Sequence, residues 1–459
     1  MPSENINIPS NTGPRPWVGG LVGLELLRAL WNALLLPLHA IGHLIRRQKR
    51  KDEVREDLVT GPLFVAEGEL PELPKRPLRI FVSCAEASGE THACNLVLAV
   101  QRLIADAGAP PAEFFGLGGE RFAATGVEIL GDPVSEARMG FSGIIGALPF
   151  YLGLVRSAAE AFASGEVDLF IGVDSPALHV PLAHIARRCG IPTVQFIAPQ
   201  YWGWAPWRVS GFRASVDLAL TILPFEPAWF TRHSIAVAHV GHPLLDEIEQ
   251  EGFIPSAPEP GRAPLLVLLP GSRRSVIERN LPLMLSALEA LPESTGPWLM
   301  RVCQRDGQHR ELIEECIERS GMPASRIDFS LDLERELSEA TAALSVSGTI
   351  LTNLLNHSLP TVVVYALESR MTEWIGRNFL TVPWFSSVNL LAGREVYPEF
   401  SFSGSEVPSP WLAAIKRLLE DEIWRSQCKT ELGLARKRLG PAGASRRAAL
   451  AALGILAKK

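Results

Sequence analysis

Three stretches of the chain carry side chains whose type and spacing could bind or move charge. The first is Pro270-Gly-Ser-Arg-Arg274, which breaks the apolar run Leu265 to Leu269 just before a segment with helical spacing from Val276 onward. A strand-to-helix turn of this kind leaves backbone N–H groups free at the positive end of a helix dipole. Phosphate is favoured there, and Arg273 or Arg274 adds a forked donor that is always charged. An ordinary turn with two solvated arginines reads the same way. The second stretch, Asp168-Leu-Phe-Ile-Gly-Val-Asp-Ser-Pro176, is a strand that ends in a carboxylate. Asp174 stands where a side chain of an open α/β sheet points into the ligand crevice, and Pro176 fixes the start of the next helix. It could take a proton from a hydroxyl as a general base, or simply cap that helix. The third, Pro199-Gln-Tyr-Trp-Gly-Trp-Ala-Pro-Trp-Arg208, sets three tryptophans and a tyrosine within seven positions. Aromatic faces suit sugar rings and acyl chains, and Arg208 suits a phosphate; a hydrophobic plug is the alternative.

Further candidates sit on the same kind of junction. Ala85-Glu-Ala-Ser-Gly-Glu-Thr-His92 follows the strand Leu78 to Cys84 and opens a helix, where Ser88 or Thr91 serves as a ligand or as an N-cap. Phe114-Phe-Gly-Leu-Gly-Gly119 repeats the strand-to-glycine turn without the G-x-G-x-x-G dinucleotide fingerprint. Ala342 to Val346 is a strand ending in Ser347-Gly-Thr349, a second glycine turn suited to another part of a nucleotide diphosphate. Asn389 and Arg394 are polar ligands available on one later loop.

The elements that must position these groups alternate as short apolar strands and amphipathic helices along the chain. Two successive βα-repeating halves predict an α/β protein with two Rossmann-like domains facing one another across a ligand cleft. The expected boundaries are 78–255 for the first domain and 256–405 for the second. Residues 406–459 are expected as helices packing back on the body or on a partner subunit.

At 459 residues and 47% hydrophobic content, the chain can bury several cores. Its net charge of −6, with basic residues blocked together only near the start, argues against nucleic acid as a partner. The six cysteines are scattered without a C-x-x-C pair or histidines at zinc spacing, which predicts reduced thiols and no metal site. No secretory signal with a small-residue cleavage site is evident. Trp17 to Ile45 is apolar and is followed by Arg46-Arg-Gln-Lys-Arg-Lys51. Glu25, Arg28, Asn32, His39 and His43 fall on one narrow helical stripe within it, which predicts an interfacial amphipathic helix with a basic end over residues 1–57. A helix packed on the body or on a partner subunit is the alternative. Residues 58–77 read as a linker.

Taken in order, Glu86-Ala-Ser-Gly89, Phe115-Gly-Leu-Gly-Gly119, Ile171-Gly-Val-Asp-Ser-Pro176, the Pro199 to Arg208 run, Leu223-Pro-Phe-Glu-Pro227, Val240-Gly-His-Pro243 and Leu269-Pro-Gly-Ser-Arg-Arg274 resemble the lipid-A-disaccharide synthase family. The resemblance covers roughly Pro77 to the C-terminus. It implies the GT-B glycosyltransferase fold, with no metal or other cofactor. It also implies an inverting reaction that joins UDP-2,3-diacylglucosamine to 2,3-diacylglucosamine 1-phosphate, giving the lipid A disaccharide and UDP. By the same resemblance Asp174, Glu86 and Asn389 form the expected catalytic set. Ser88, Arg208, Gly271, Ser272, Arg273, Ser347, Gly348, Thr349, Asn353 and Arg394 form the expected substrate-binding set. The expected setting is cytoplasmic, peripheral on the inner face of the cytoplasmic membrane, with a homodimer through the C-terminal helices.

Four positions depart from the family pattern. Ala85 and Glu90 stand where glycine and aspartate are usual, Ala177 replaces an aspartate, and Asn353 replaces a glutamate that clamps the nucleotide ribose. The last change removes a charge, so two other readings stay open. One is a nucleotide-binding homologue without turnover that acts as a membrane scaffold; the other is a different UDP-sugar enzyme such as an epimerase.

Overall fold

The structure, a computed structural model, describes residues 17–60, 68–139, 144–250, 263–292, 298–304, 307–323, 325–404 and 406–458. The chain divides into two compact units. The first comprises residues 1–48, 60–250 and 440–459, the second residues 49–59 and 251–439.

The first unit is built on seven strands: β1 Arg79–Ser83, β2 Glu113–Leu117, β3 Glu128–Gly131, β4 Leu169–Val173, β5 Thr193–Phe196, β6 Leu218–Thr221 and β7 Val237–His239. They lie in the order β3-β2-β1-β4-β5-β6-β7, and every pairing is parallel. The second unit repeats the plan with β8 Leu265–Leu269, β9 Leu299–Cys303, β10 Ile327–Ser330, β11 Ala342–Ser345, β12 Thr361–Leu367 and β13 Glu399–Ser403. Its order is β10-β9-β8-β11-β12-β13, again all parallel. Parallel sheets are covered on both faces by their crossover helices, so central strands read as continuous apolar runs. Every residue of β4 and of β8 is buried accordingly. Under the first sheet Phe81 packs on Phe115, Phe162 and Phe170 with ring centroids 4.8 to 5.9 Å apart. The second core gathers around Met284, Leu344, Val362 and the fully buried Trp411. The strands β3, β7, β10 and β13 escape the sequence reading because polar residues such as Glu128, His239, Asp328 and Glu399 interrupt their short apolar runs.

The N-terminal helix, α1 (Val18–Thr60), is longer than the apolar segment predicts and carries the basic run within it. Apart from Asn32, which is exposed, its polar stripe is turned to the protein. Glu25 is 8% exposed and lies 3.8 Å from Arg28, 3.7 Å from Arg188 and 3.6 Å from His184. His39 stacks on Trp207 at 6.3 Å and the buried His43 meets the same ring edge-on at 5.5 Å. The apolar side is what remains outside: Leu27, Leu30, Trp31, Leu34, Leu38, Ile41 and Ile45 are all more than half exposed. Residues 18–59 are long and apolar enough to cross a membrane, with 11% of their most apolar window buried. The stripe therefore marks the protein-facing side of the helix.

The C-terminal helices do not act as one block. Ser409–Glu420 and Glu422–Arg438 belong to the second unit, whereas Ala444–Gly454 returns to the first and packs on α2, Ala87–Asp106. The Asp246 carboxylate holds it there by accepting hydrogen bonds from the amides of Gly443, Ala444 and Ser445 at 2.6 to 2.9 Å. These are N–H groups that a helix start otherwise leaves unpaired.

Candidate active site

In both sheets the strand order reverses at one place, between β1 and β4 in the first unit and between β8 and β11 in the second. Loops at the carboxyl ends of such neighbouring strands leave toward opposite faces and open a crevice between them. Asp174 and Ser175 follow β4 at the first of these points. The turns Pro270–Ser272 and Ser347–Thr349 follow β8 and β11 at the second.

At the first point Asp174 and Ser175 both take the left-handed backbone conformation, with φ of 57° and 38°. For non-glycine residues this costs on the order of 1–2 kcal/mol each, so the surroundings must hold the turn. Three hydrogen bonds do so. Asp174 N–H donates to the Phe196 carbonyl at 2.9 Å, and the Asp174 carbonyl accepts from His179 Nδ1 at 2.7 Å and Gln195 Nε2 at 2.8 Å. Burial pushes His179 down to about 4, so its ring is neutral. Nδ1 then carries the proton, and Nε2 accepts from Ser83 Oγ at 3.0 Å. Gly172 makes the arrangement possible, since a Cβ there would lie 2.8 Å from both His179 Cβ and Gln195 Oε1.

The first turn of α2 closes against this bend. A Cβ on Gly89 would lie 3.5 Å from the Val173 carbonyl oxygen and 3.7 Å from Asp174 Cβ. Glu86 occupies the N-cap position of α2 without a side-chain bond to the helix amides, and Ser88 lies exposed one residue into the helix. Burial raises the Asp174 carboxyl above the usual range, opposed by the Ser175 amide and by His92. A carboxylate made more basic in this way is suited to taking a proton. His92 is itself held by Glu247, 3.3 Å from Nδ1. Glu90 is buried and accepts from the Phe122 amide at 3.2 Å, so the glutamate at this departing position secures the helix Glu120–Ala123.

The aromatic loop divides between its two readings. Tyr201 and Trp202 are buried as the plug reading requires, and Trp202 Nε1 donates to Glu226 at 3.1 Å. Glu226 also accepts from the Ile222 and Leu223 amides, both at 2.9 Å; burial still lifts its carboxyl to about 7. Trp207 is engaged by α1, and Arg208 lies over the Tyr201 ring at 5.3 Å. Trp204 is 43% exposed.

In the second unit Gly271 has a φ of 113°, and a Cβ there would fall 2.8 Å from Val276 and 3.4 Å from Val346. That approach sets the two turns side by side. Ser272 and Arg273 are exposed at the start of the helix Arg274–Glu289, whose N-terminus has no side-chain cap. Arg274 is engaged by Glu278 at 2.8 Å, which leaves Arg273 as the guanidinium presented at the turn. Gly348 and Thr349 are exposed, and Ser347 Oγ donates to the Phe385 carbonyl at 3.0 Å. Among the described residues no group of His, Cys, Asp or Glu side chains converges as on a metal ion.

Three expected ligands have other work. Asn389 is fully buried, and its amide is spent inside the fold. Nδ2 donates to the Tyr397 carbonyl and to Glu399, while Oδ1 accepts from the Val396 and Tyr397 amides. These bonds shape the loop. Arg394 is ion-paired with Glu431 of the helix Glu422–Arg438. Asn353 is 7% exposed and donates to Glu334 at 3.2 Å, while His357 Nε2 donates to the other oxygen of the same carboxylate at 3.1 Å. A negative charge thus stands beside position 353 although the residue itself is neutral. The supporting residues His179, Gln195, Glu334 and Glu399 escape the sequence reading; Gly172, two residues before Asp174, is the one local signal that a side chain must pass there.

A family profile described as lipid-A-disaccharide synthetase matches residues 80–451, through both units and all of the turns above. The chain belongs to the lipid-A-disaccharide synthase family. It is similar to the lipid-A-disaccharide synthase of Myxococcus xanthus at 34% identity over 384 residues, covering 83% of this chain and 98% of that one. Membership makes it a glycosyltransferase of the hexosyl-transferring kind. Among solved structures it is similar to a putative UDP-N-acetylglucosamine 2-epimerase from Listeria monocytogenes, with a TM-score of 0.54 and 10% identity over 81% of this chain and 94% of that one. The calicheamicin glycosyltransferase gives a TM-score of 0.50 and 15% identity over 83% and 100%. These likenesses concern the fold alone, which is of the GT-B class. All of α1 lies before the matched region.

Proposed function

We propose that this enzyme joins UDP-2,3-diacylglucosamine to 2,3-diacylglucosamine 1-phosphate, forming an acylated β(1→6) disaccharide and UDP. The observation that carries the reading is the family match running through both switch points, with its motif residues lying on the loops there. Asp174, raised by burial, takes the proton of the acceptor hydroxyl or orients it as the new bond forms with inversion. Glu86 and Ser88 border the same turn as acceptor contacts. In the second unit the Gly271, Ser272 and Arg273 turn and the Ser347, Gly348 and Thr349 turn receive the UDP diphosphate, where negative charge grows as the glycosidic bond breaks. Glu334, carried next to Asn353, supplies the carboxylate for the ribose. Arg208 and Trp204 are offered to the acceptor's phosphate and acyl chains. The exposed face of α1 seats the enzyme on the membrane where both acylated substrates reside.

The test is release of UDP by purified protein given both diacyl glucosamine substrates, with Asp174→Ala as control. Turnover well above the control is expected. Measurable UDP binding with no release above the control would leave the non-catalytic scaffold as the better reading.

A further inference from the structure

An open pocket of about 800 Å³ lies where α1 crosses the end of the helix Pro176–Arg188. Arg28, Arg187 and Arg188 line it together with the apolar pair Leu27 and Trp31 of α1. The two carboxylates within reach only partly offset the three guanidiniums. Glu25 lies 3.8 and 3.7 Å from Arg28 and Arg188, and Asp217 lies 3.3 Å from Arg187. His184 also lines the pocket, 7% exposed and with Nδ1 3.6 Å from the Glu25 carboxylate. Three guanidiniums set against two carboxylates leave a net positive lining suited to an anion.

We propose that this pocket binds the phosphate of an anionic phospholipid headgroup, with the acyl chains running along the exposed apolar face of α1. The neighbourhood of the two surfaces argues for a lipid over a soluble anion. The three guanidiniums line the same space as Leu27 and Trp31, which belong to the exposed apolar face of α1, so charge and apolar surface adjoin as a headgroup and its chains do. The site is separate from the reaction centre. Asp174 precedes the first residue of the helix Pro176–Arg188 and the pocket lies at its last turn, about 20 Å away at 1.5 Å per residue. The inference rests on the reading that α1 lies in the membrane surface, and adds to it one lipid class and the residues that select it.

The test is flotation of the full-length protein with neutral phosphatidylcholine vesicles and with vesicles that also contain phosphatidylglycerol. Glu25→Gln removes the carboxylate that competes for Arg28 and Arg188, and should tighten binding to the anionic vesicles about fivefold. The triple variant E25Q/R28Q/R188Q removes both guanidiniums together with the charge they neutralise, so no buried ion is stranded. It should lose about fivefold to tenfold on the anionic vesicles while binding neutral ones as the wild type does. Equal lipid preference in wild type and triple variant overturns the pocket. Absence of wild-type binding to either vesicle instead overturns the membrane reading beneath it. Millimolar inorganic phosphate at constant ionic strength should leave the difference between wild type and triple variant in place. Its disappearance would reassign the pocket to free phosphate. Should the triple variant melt early, Glu25→Gln alone decides, because a merely structural ion pair gives no gain.

Discussion

Loss of the two side chains that hold the Asp174 carbonyl should uncouple activity from stability. The perturbations are His179→Leu and Gln195→Leu, singly and together, each replacing a donor with an apolar side chain of comparable size. Two successive left-handed residues cost about 2–4 kcal/mol together, and each hydrogen bond to the buried carbonyl returns about 1 kcal/mol net. With one donor removed, the carbonyl at 2.7 or 2.8 Å from the other remains satisfied, so the bend should persist. With both removed, the acceptor is bare and only the Asp174 to Phe196 amide bond is left against the strain. The bend should then relax, with an extra cost of about 1 kcal/mol beyond the sum of the single variants. A shift of about 1 Å in a reacting carboxylate costs on the order of a hundredfold in rate. The single variants should therefore keep UDP release within about tenfold of wild type, and the double variant should fall about a hundredfold further. The melting temperature should drop by about 2–4 °C per kcal/mol. Additive stabilities, together with a folded double variant whose turnover stays within about threefold of wild type, would refute the idea that this bend sets the catalytic geometry.

Asn389→Ala should destabilise the protein by about 3 kcal/mol or more, because the Val396 and Tyr397 amides lose their acceptor in a fully buried place. A shift of under about 1 kcal/mol in denaturant unfolding would return Asn389 to the ligand set. The pH dependence of stability should carry the signature of Glu226, whose carboxyl moves from an ordinary 4.5 up to about 7 on folding. Its contribution is fully present below pH 4.5 and is lost as pH rises through about 7, a fall of about 3 kcal/mol. Stability measured against pH in Glu226→Gln should therefore fall less over that window than in wild type; parallel curves would contradict the assignment. Glu334→Gln should weaken UDP binding about tenfold by calorimetry while leaving the melting temperature within about 3 °C. Unchanged UDP affinity would remove Glu334 from the nucleotide site.

The parts of this architecture that depend on local pattern are legible in the sequence. Runs such as Leu265 to Leu269 announce buried parallel strands, and a glycine or a carboxylate directly after them announces the turns at which the sheets reverse. The parts that depend on which surface meets which are not. Of the stripe Glu25, Arg28, Asn32, His39 and His43, all but the exposed Asn32 fall on one face of α1, but periodicity carries no sign, and the face belongs to the protein side. Asn389 has the polarity of a ligand, and only the positions of Tyr397 and Glu399 reveal that its bonds are already spent. His179 is invisible for the same reason. Its partners Asp174 and Ser83 lie five and ninety-six residues away, and no local propensity encodes the second. Asn353 looks like a lost charge until Glu334, nineteen residues earlier, is found beside it.

The return of the helix Ala444–Gly454 to the first unit has a consequence for how the chain is made. The sheet β1 to β7 is complete by residue 239, yet the helix that covers α2, with Ala448, Ala449, Ala452 and Leu453 all buried, emerges roughly two hundred residues later. At about 5–20 residues per second, that is an interval of about 10–40 s in which the apolar side of α2 stands uncovered. The first unit is therefore begun before the second and completed after it, once the three amides that Asp246 awaits have been made.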